Sequence, residues 1–201
     1  MHERVTIRPA DLSEVEAIAS MWQETSKWLH SKGVDQWQYP ADEEKITRDV
    51  TSGTAYVVTS AGKYLGTITV DENADPEFWA KKDLPTEAIY GHRIIILPHA
   101  RGKSVGATVL DWASRKAEKA GKRWLRVDAW KTNTELARYY EGQGFEHVRT
   151  VDLPHRRSGA LFQREAGTIT GAGPGFLGLE SPLHEPDGTR STEGQWGWYA
   201  G

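Results

Sequence analysis

The stretch Ile94–Ala107, IIILPHARGKSVGA, carries the residue types best suited to chemistry. An apolar run, Ile94, Ile95, Ile96 and Leu97, is stopped by Pro98. A basic, glycine-containing turn follows at Arg101, Gly102, Lys103 and Ser104, and a helical pattern opens at Val105, Gly106 and Ala107. This reads as strand, turn, helix. A turn of small residues that leads into a helix start leaves several backbone N–H groups without partners. Those groups, the positive helix end and the cations Arg101 and Lys103 make an anion site. A pyrophosphate suits it.

The rest of the chain must position that cradle. Its 201 residues are enough for one domain with a sizeable core and an extension. There is no cysteine, which excludes a disulfide frame, a thiolate metal site and a cysteine nucleophile. The start, MHERVTIRPA, is too polar for a signal peptide, and no apolar run approaches the roughly 20 residues of a membrane span. A cytoplasmic protein with no membrane partner and no metal is the simplest reading. The net charge of −3 gives no support to a nucleic-acid partner. The charge is uneven: residues 1–90 hold 16 acids against 9 bases, whereas residues 101–131 hold 9 bases against 3 acids. Either these are two solvated surfaces, or a basic half holds an anionic ligand and an acidic half faces a cationic one.

Alternation predicts strands near residues 5–8 and 64–70, β-branched and aromatic content predicts one at 55–59, and further strand candidates lie at 88–97, 124–130, 145–151 and 160–165. Helical spacing of Val15, Ile18, Met21 and Trp22 predicts a helix capped by Asp11 or Ser13, and a weaker helix covers 43–51. Val105, Val109, Trp112 and Ala113 share one face of a helix over 105–120. Thr132 with Glu135 reads as a capping box for a short helix through Tyr140. Phe78 and Trp79 can pin the polar loop 71–86 to the domain. From Gly167 onward 9 of the 20 glycines fall without any apolar period. The expected organisation is therefore a domain over 1–166 and a Gly/Trp-rich tail over 167–201, either disordered or docked through residues such as Trp196, Trp198 and Tyr199.

This element order, with the cradle, resembles the GCN5-related N-acetyltransferase (GNAT) superfamily over about residues 4–165. Family members carry Gln/Arg-x-x-Gly-x-Gly/Ala at the turn before the main helix; here the positions read Arg101 to Gly106, with Ser104 in place of the first glycine. Asn133 to Phe145, NTELARYYEGQGF, resembles the family stretch Asn-x-x-Ala-x-x-x-Tyr-Glu-x-x-Gly-Phe, with Leu136 where a small residue is common. The resemblance implies an α/β (α+β) fold: a mixed, mostly antiparallel sheet of about seven strands flanked by about four helices. It implies acetyl-CoA as co-substrate, held by the cradle, by main chain at Ile94, Ile95 and Ile96, and by Asn133, Ala137 and Tyr140. It implies direct attack of an amine on the thioester, with Tyr140 as the acid that protonates the leaving thiolate. Tyr139 reads as a core aromatic.

The base is less legible. By alternation His92 shares a sheet face with Tyr90, Ile94 and Ile96, and a histidine can change charge near neutral pH. Asp71, Glu72 and Asp128 are further candidates to bind or deprotonate an amine, and each also reads as a solvated or structural acid. Trp28, Trp37 and Tyr39 fall where the family builds its acceptor wall. Aromatic faces suit cations, so a small-molecule or peptidyl amine is favoured, on a monomer or homodimer. Two other readings stand: a non-catalytic CoA-binding module with this fold, left open by Ser104, and an unrelated mononucleotide-binding α/β protein with no role for Asn133 and Tyr140.

Overall fold

The computed structural model describes residues 4–178. Strand β1 (Val5–Pro9) buries Val5 and Ile7, as its alternation requires. β2 (Ala55–Ser60) and β3 (Lys63–Asp71) form a hairpin whose two connecting residues, Ala61 and Gly62, both have positive φ. That geometry matches the twist of the flanking strands. β4 (Ala88–Ile96), β5 (Trp124–Trp130), β6 (Glu146–Thr150) and β7 (Ser158–Glu165) continue the sheet. An eighth strand, β8 (Phe176–Gly178), comes from the segment read as tail. The order across the single sheet is β6-β7-β5-β4-β3-β2-β1-β8. Neighbours are antiparallel except β4 with β5 and β1 with β8.

Four helices cover the two faces. α1 (Val15–Ser31) and α2 (Glu43–Thr51) bury Ile18, Met21, Trp22, Ile46 and Val50 against Val57, Ile95 and Leu97. α3 (Val105–Lys119) and α4 (Thr134–Gly142) lie on the opposite face, with Val105, Val109, Ala113 and Tyr140 packed on Val58, Ile68, Leu125 and Val127. Loop 72–87 is pinned by Phe78 and Trp79, 1% and 3% exposed, which pack on Tyr90 and Leu161. No helix among the described residues is long and apolar enough to cross a membrane.

Three local features depart from expectation. First, β4 carries a bulge: His92 pairs with Thr69 and Ile95 with Thr67, three steps against two, and Arg93 takes φ 46°. The extra residue reverses side-chain parity. Ile94 and Ile96 therefore pack in the core beneath α3, while Tyr90 and His92 stack on the other face. His92 does not share a face with the isoleucines. Second, Asn133 caps α4, its Oδ1 accepting the Leu136 N–H at 3.0 Å, while the Thr132 hydroxyl turns to Asp35 at 2.9 Å. Third, residues 167–178 run back along the outer side of α3. Gly167 N–H donates to the Ser114 carbonyl (2.9 Å), the Thr170 and Gly171 amides donate to Asp111 (3.0 and 2.9 Å), and the Thr108 hydroxyl donates to the Pro174 carbonyl (2.9 Å). These contacts account for three polar helix residues that are otherwise fully enclosed, Thr108, Asp111 and Ser114. The aromatic end of the tail, with Trp196, Trp198 and Tyr199, lies outside the described residues.

Candidate active site

The parallel pairing of β4 with β5 ends at Gly91 opposite Val127. Beyond it β5 continues to Trp130 beside β7, and β4 continues to Ile96 beside β3. The sheet opens between them. A cavity of about 1070 Å³ fills the opening and extends to the start of α3. Main-chain direction along the open edge follows from the partners on the other side. The Ile95 carbonyl points at Gly66 on β3, and the Leu97 N–H donates to the Leu65 carbonyl at 2.9 Å. Strand alternation then turns the main chain of Ile96 toward the opening. Ile94 and Ile96 line the cavity, but Ile95 does not: its side chain is core under α1 and its carbonyl faces β3.

The cradle sits at the other end of this cavity. A tight turn over Pro98–Ala100 carries the chain off the strand. Gly102 and Ser104 then both adopt left-handed backbone, φ 72° and 56°, and α3 begins at Val105. At Gly102 a methyl group would meet nothing within 4 Å, so the backbone angle alone calls for glycine. Ser104 holds the same kind of angle with a side chain, at a cost of about 1–2 kcal/mol. Arg101, Gly102, Ser104, Val105 and Gly106 line the cavity. Lys103 is exposed outside it, Ala107 is buried under the helix, and Ala137 packs into the core, so these three expected contacts are not brought to the wall.

The two tyrosines of α4 divide the cavity between them. Tyr140, 6% exposed, stands among Phe145 and Phe162 at ring separations of 5.4 and 5.6 Å and still lines the cavity. Burial pushes its phenol well above the ordinary value, with Tyr139 and Asp128 adding to the rise. Tyr139 is half exposed, and its hydroxyl rests against the backbone of Gly106 in the cradle. Burial raises it to about 12. The sequence reading missed Tyr139 as a cavity residue; the only signal was its place immediately before Tyr140. Asn133 lines the cavity between α4 and α1, with its Nδ2 donating to Gln36 Oε1 at 2.8 Å.

On the far wall Trp37 stacks on Trp22 at 4.8 Å, and the Trp22 indole N–H donates to the Tyr39 carbonyl. Trp28 is expected there, but its ring is taken by the Arg101 guanidinium, 3.8 Å above it, so it belongs to the cradle mouth. His92 lines the cavity and faces Asp71 at 3.3 Å, with that carboxylate behind it rather than in the cavity. Burial opposes ionisation of Asp71, but His92 and Asn73 together outweigh it and hold the carboxyl below its usual range. Asp128 lines the cavity directly. Glu72 does not reach it: its exposed carboxylate pairs with Lys122 at 2.5 Å. The cavity is not acidic either. Lys32, Lys45, Arg93, Arg101 and Arg156 line it beside Asp42, Asp75, Asp128 and Glu135. The surplus acids of residues 1–90 are spent elsewhere, as on Asp83 with Arg149 and Glu14 with Arg8.

A family model described as an acetyltransferase (GNAT) domain matches residues 51–147. The chain is 26% identical over 146 residues to an uncharacterized N-acetyltransferase, YesJ, of Bacillus subtilis (strain 168), covering 70% of this chain and 81% of that protein. Among solved structures, a GNAT-family acetyltransferase from Listeria monocytogenes 4b F2365 superimposes with a TM-score of 0.68 at 20% identity, covering 79% of this chain and 93% of that one. A PaiA N-acetyltransferase from Thermoplasma acidophilum in complex with coenzyme A gives 0.62 at 15% identity, covering 80% and 98%. At these identities the structural likeness speaks for the fold.

Proposed function

We propose that the chain is an acetyltransferase of the GNAT superfamily, whose domain model it matches over residues 51–147, and that it transfers the acetyl group of acetyl-CoA directly to a primary amine of a small molecule or peptide. One observation carries the reading: the left-handed turn before α3, the open edge of β4 and the buried phenol of Tyr140 all border a single cavity. The turn and helix start offer N–H groups to a pyrophosphate. The edge of β4 offers main-chain groups to an amide-bearing arm, in the manner of an added strand. Those same N–H groups can polarise the thioester carbonyl.

In this reaction the amine nitrogen bonds to the carbonyl carbon and the carbon–sulfur bond breaks. The sulfur takes the Tyr140 proton, and the proton shed by the amine restores the balance through a base. Burial of Tyr140 keeps its phenol protonated until a thiolate forms beside it. We assign the base to His92. It faces the cavity, and the Asp71 carboxylate behind it, 3.3 Å from Nε2, orients the ring. Release of free thiol from acetyl-CoA in the presence of an amine panel tests the assignment. Tyr140→Phe and His92→Ala should each lower turnover by about 10²–10⁴-fold. Full turnover in Tyr140→Phe would remove it from the mechanism, and CoA binding without turnover on any amine would leave a binding module instead.

A further inference from the structure

The acceptor end of the cavity holds a cation whose ammonium has no hydrogen-bond or ion-pair partner among the described residues. Lys45, on the inner side of α2, is half-buried and lines the cavity, and among the described residues its ammonium makes neither a hydrogen bond nor an ion pair. Burial, reinforced by the charge of Arg93, lowers its pKa against the opposing pull of Asp49 and Asp42. A half-buried ammonium beside aromatic walls carries a desolvation cost that an opposite charge would offset.

Arg93 adds to it. Its Nη2 donates to Asp49 and to Thr69 Oγ1, the latter at 3.0 Å, which leaves Nη1 and Nε without a partner among the described residues. It is held at the bulge of β4 with φ 46°, a conformation that glycine would adopt without strain, so the guanidinium has a place there at a backbone cost. Asp49 is the one carboxylate in contact with this pair. Asp42 lies nearby but is exposed and accepts the Lys45 amide N–H as the cap of α2. Asp49 is taken by Arg93 and Asp42 is exposed, so neither carboxylate bonds the Lys45 ammonium at the cavity wall, and Asp128 lines the same cavity from β5.

Taking the acetyl-transfer reading as its basis, we infer that Lys45 and Arg93 bind a carboxylate carried by the acceptor itself. The acceptor class is then an amino acid or similar amino-carboxylate, not a polyamine or other purely cationic amine. The acidic surplus of the N-terminal half favours a cation; the charges that line the cavity reverse that expectation.

The test uses matched pairs of amines, each an amino acid and the same molecule with its carboxylate amidated or removed. Thiol release is followed with the full chain and acetyl-CoA, and binding is followed by quenching of tryptophan fluorescence. Wild type should prefer the carboxylate-bearing member, and Lys45→Met should reduce that preference about 10- to 100-fold, mostly through KM, as expected for one hydrogen bond to a charged group. Lys45→Arg should retain it. Efficient turnover of polyamines or amides, with no preference to lose, overturns the carboxylate site and leaves the transferase standing. No thiol release from any amine overturns the transferase reading; saturable quenching by amino acids that Lys45→Met abolishes would then still uphold the site, and its absence would overturn it.

Discussion

Gly106→Ala probes a contact between α4 and the cradle. A methyl group on Gly106 would overlap the Tyr139 hydroxyl and lie 3.4 Å from the ring carbon that bears it. In isolation the substitution should help: alanine in a helix gains up to about 1 kcal/mol over glycine, and about half of that in a first turn. The overlap works against it: the half-exposed Tyr139 ring must turn aside, at about the 0.5–1.5 kcal/mol of an off-rotamer side chain. The overlap offsets the gain, and the variant should lose about 0–1 kcal/mol. In a Tyr139→Phe background the overlapping atom is gone and the ring carbon is at ordinary contact distance. There the same methyl should stabilise by about 0.5 kcal/mol. Urea unfolding of the four proteins closes the cycle, with an expected coupling of about 0.5–1.5 kcal/mol, each kcal/mol being worth about 2–4 °C in Tm for a chain of this size. Equal effects of Gly106→Ala in both backgrounds would refute the contact and with it the position of Tyr139 over the cradle.

Ser104→Gly should stabilise the chain. Relief of the left-handed serine is worth about 1–2 kcal/mol and the added freedom of the unfolded glycine subtracts about 0.4–1, so urea unfolding should show a net gain near 0.5–1 kcal/mol; a loss would mean that the serine side chain holds the turn. Glu14 is held at about 2, first by the Arg8 hydrogen bonds, against the cost of its burial, and then by Tyr64, compared with 4.5 for a free glutamate. A depressed carboxylate stabilises the fold above pH 4.5, and the benefit disappears as pH falls through about 2. At full strength it amounts to about 3 kcal/mol, less at high salt. Glu14→Gln should therefore flatten the acid limb of the stability curve in that window; parallel curves for the two proteins would sink the assignment.

The parts of this fold legible in the sequence are those encoded locally. β5 runs from Trp124 to Trp130 as its alternation predicts, and the cradle follows from a strand stop, a glycine turn and a helix start within 14 residues. The bulge at Arg93 is invisible because a run of three isoleucines has no parity to read. Both faces of β4 are apolar at that point, so nothing in Ile94–Ile96 says which residue points to α3 and which to α1. The choice between Thr132 and Asn133 as cap of α4 depends on Asp35, nearly a hundred residues earlier, which claims the threonine hydroxyl. Tyr139 and Tyr140 differ by one position and one helical turn angle, and only the packed neighbours Phe145 and Phe162 decide which ring is enclosed. Lys45 lies on a helix whose sequence is mostly charged, so a cavity-facing lysine cannot be told from its solvated neighbours.

β8 has a consequence for the order in which this protein can be made. β1 leaves the ribosome before every other strand of the sheet, and it is the strand that β8 covers. Residues 176–178 are synthesised after the rest of the sheet is complete. From the synthesis of β1 until that of β8 the outer edge of Val5–Ile7 therefore has no neighbour, and a bare strand edge is a template for pairing with other chains. A nascent or C-terminally shortened chain that ends before Phe176 can hold the cavity and the cradle and still expose that edge. The segment from Gly167 to Gly178 is thus a late seal, and its loss should register first as self-association.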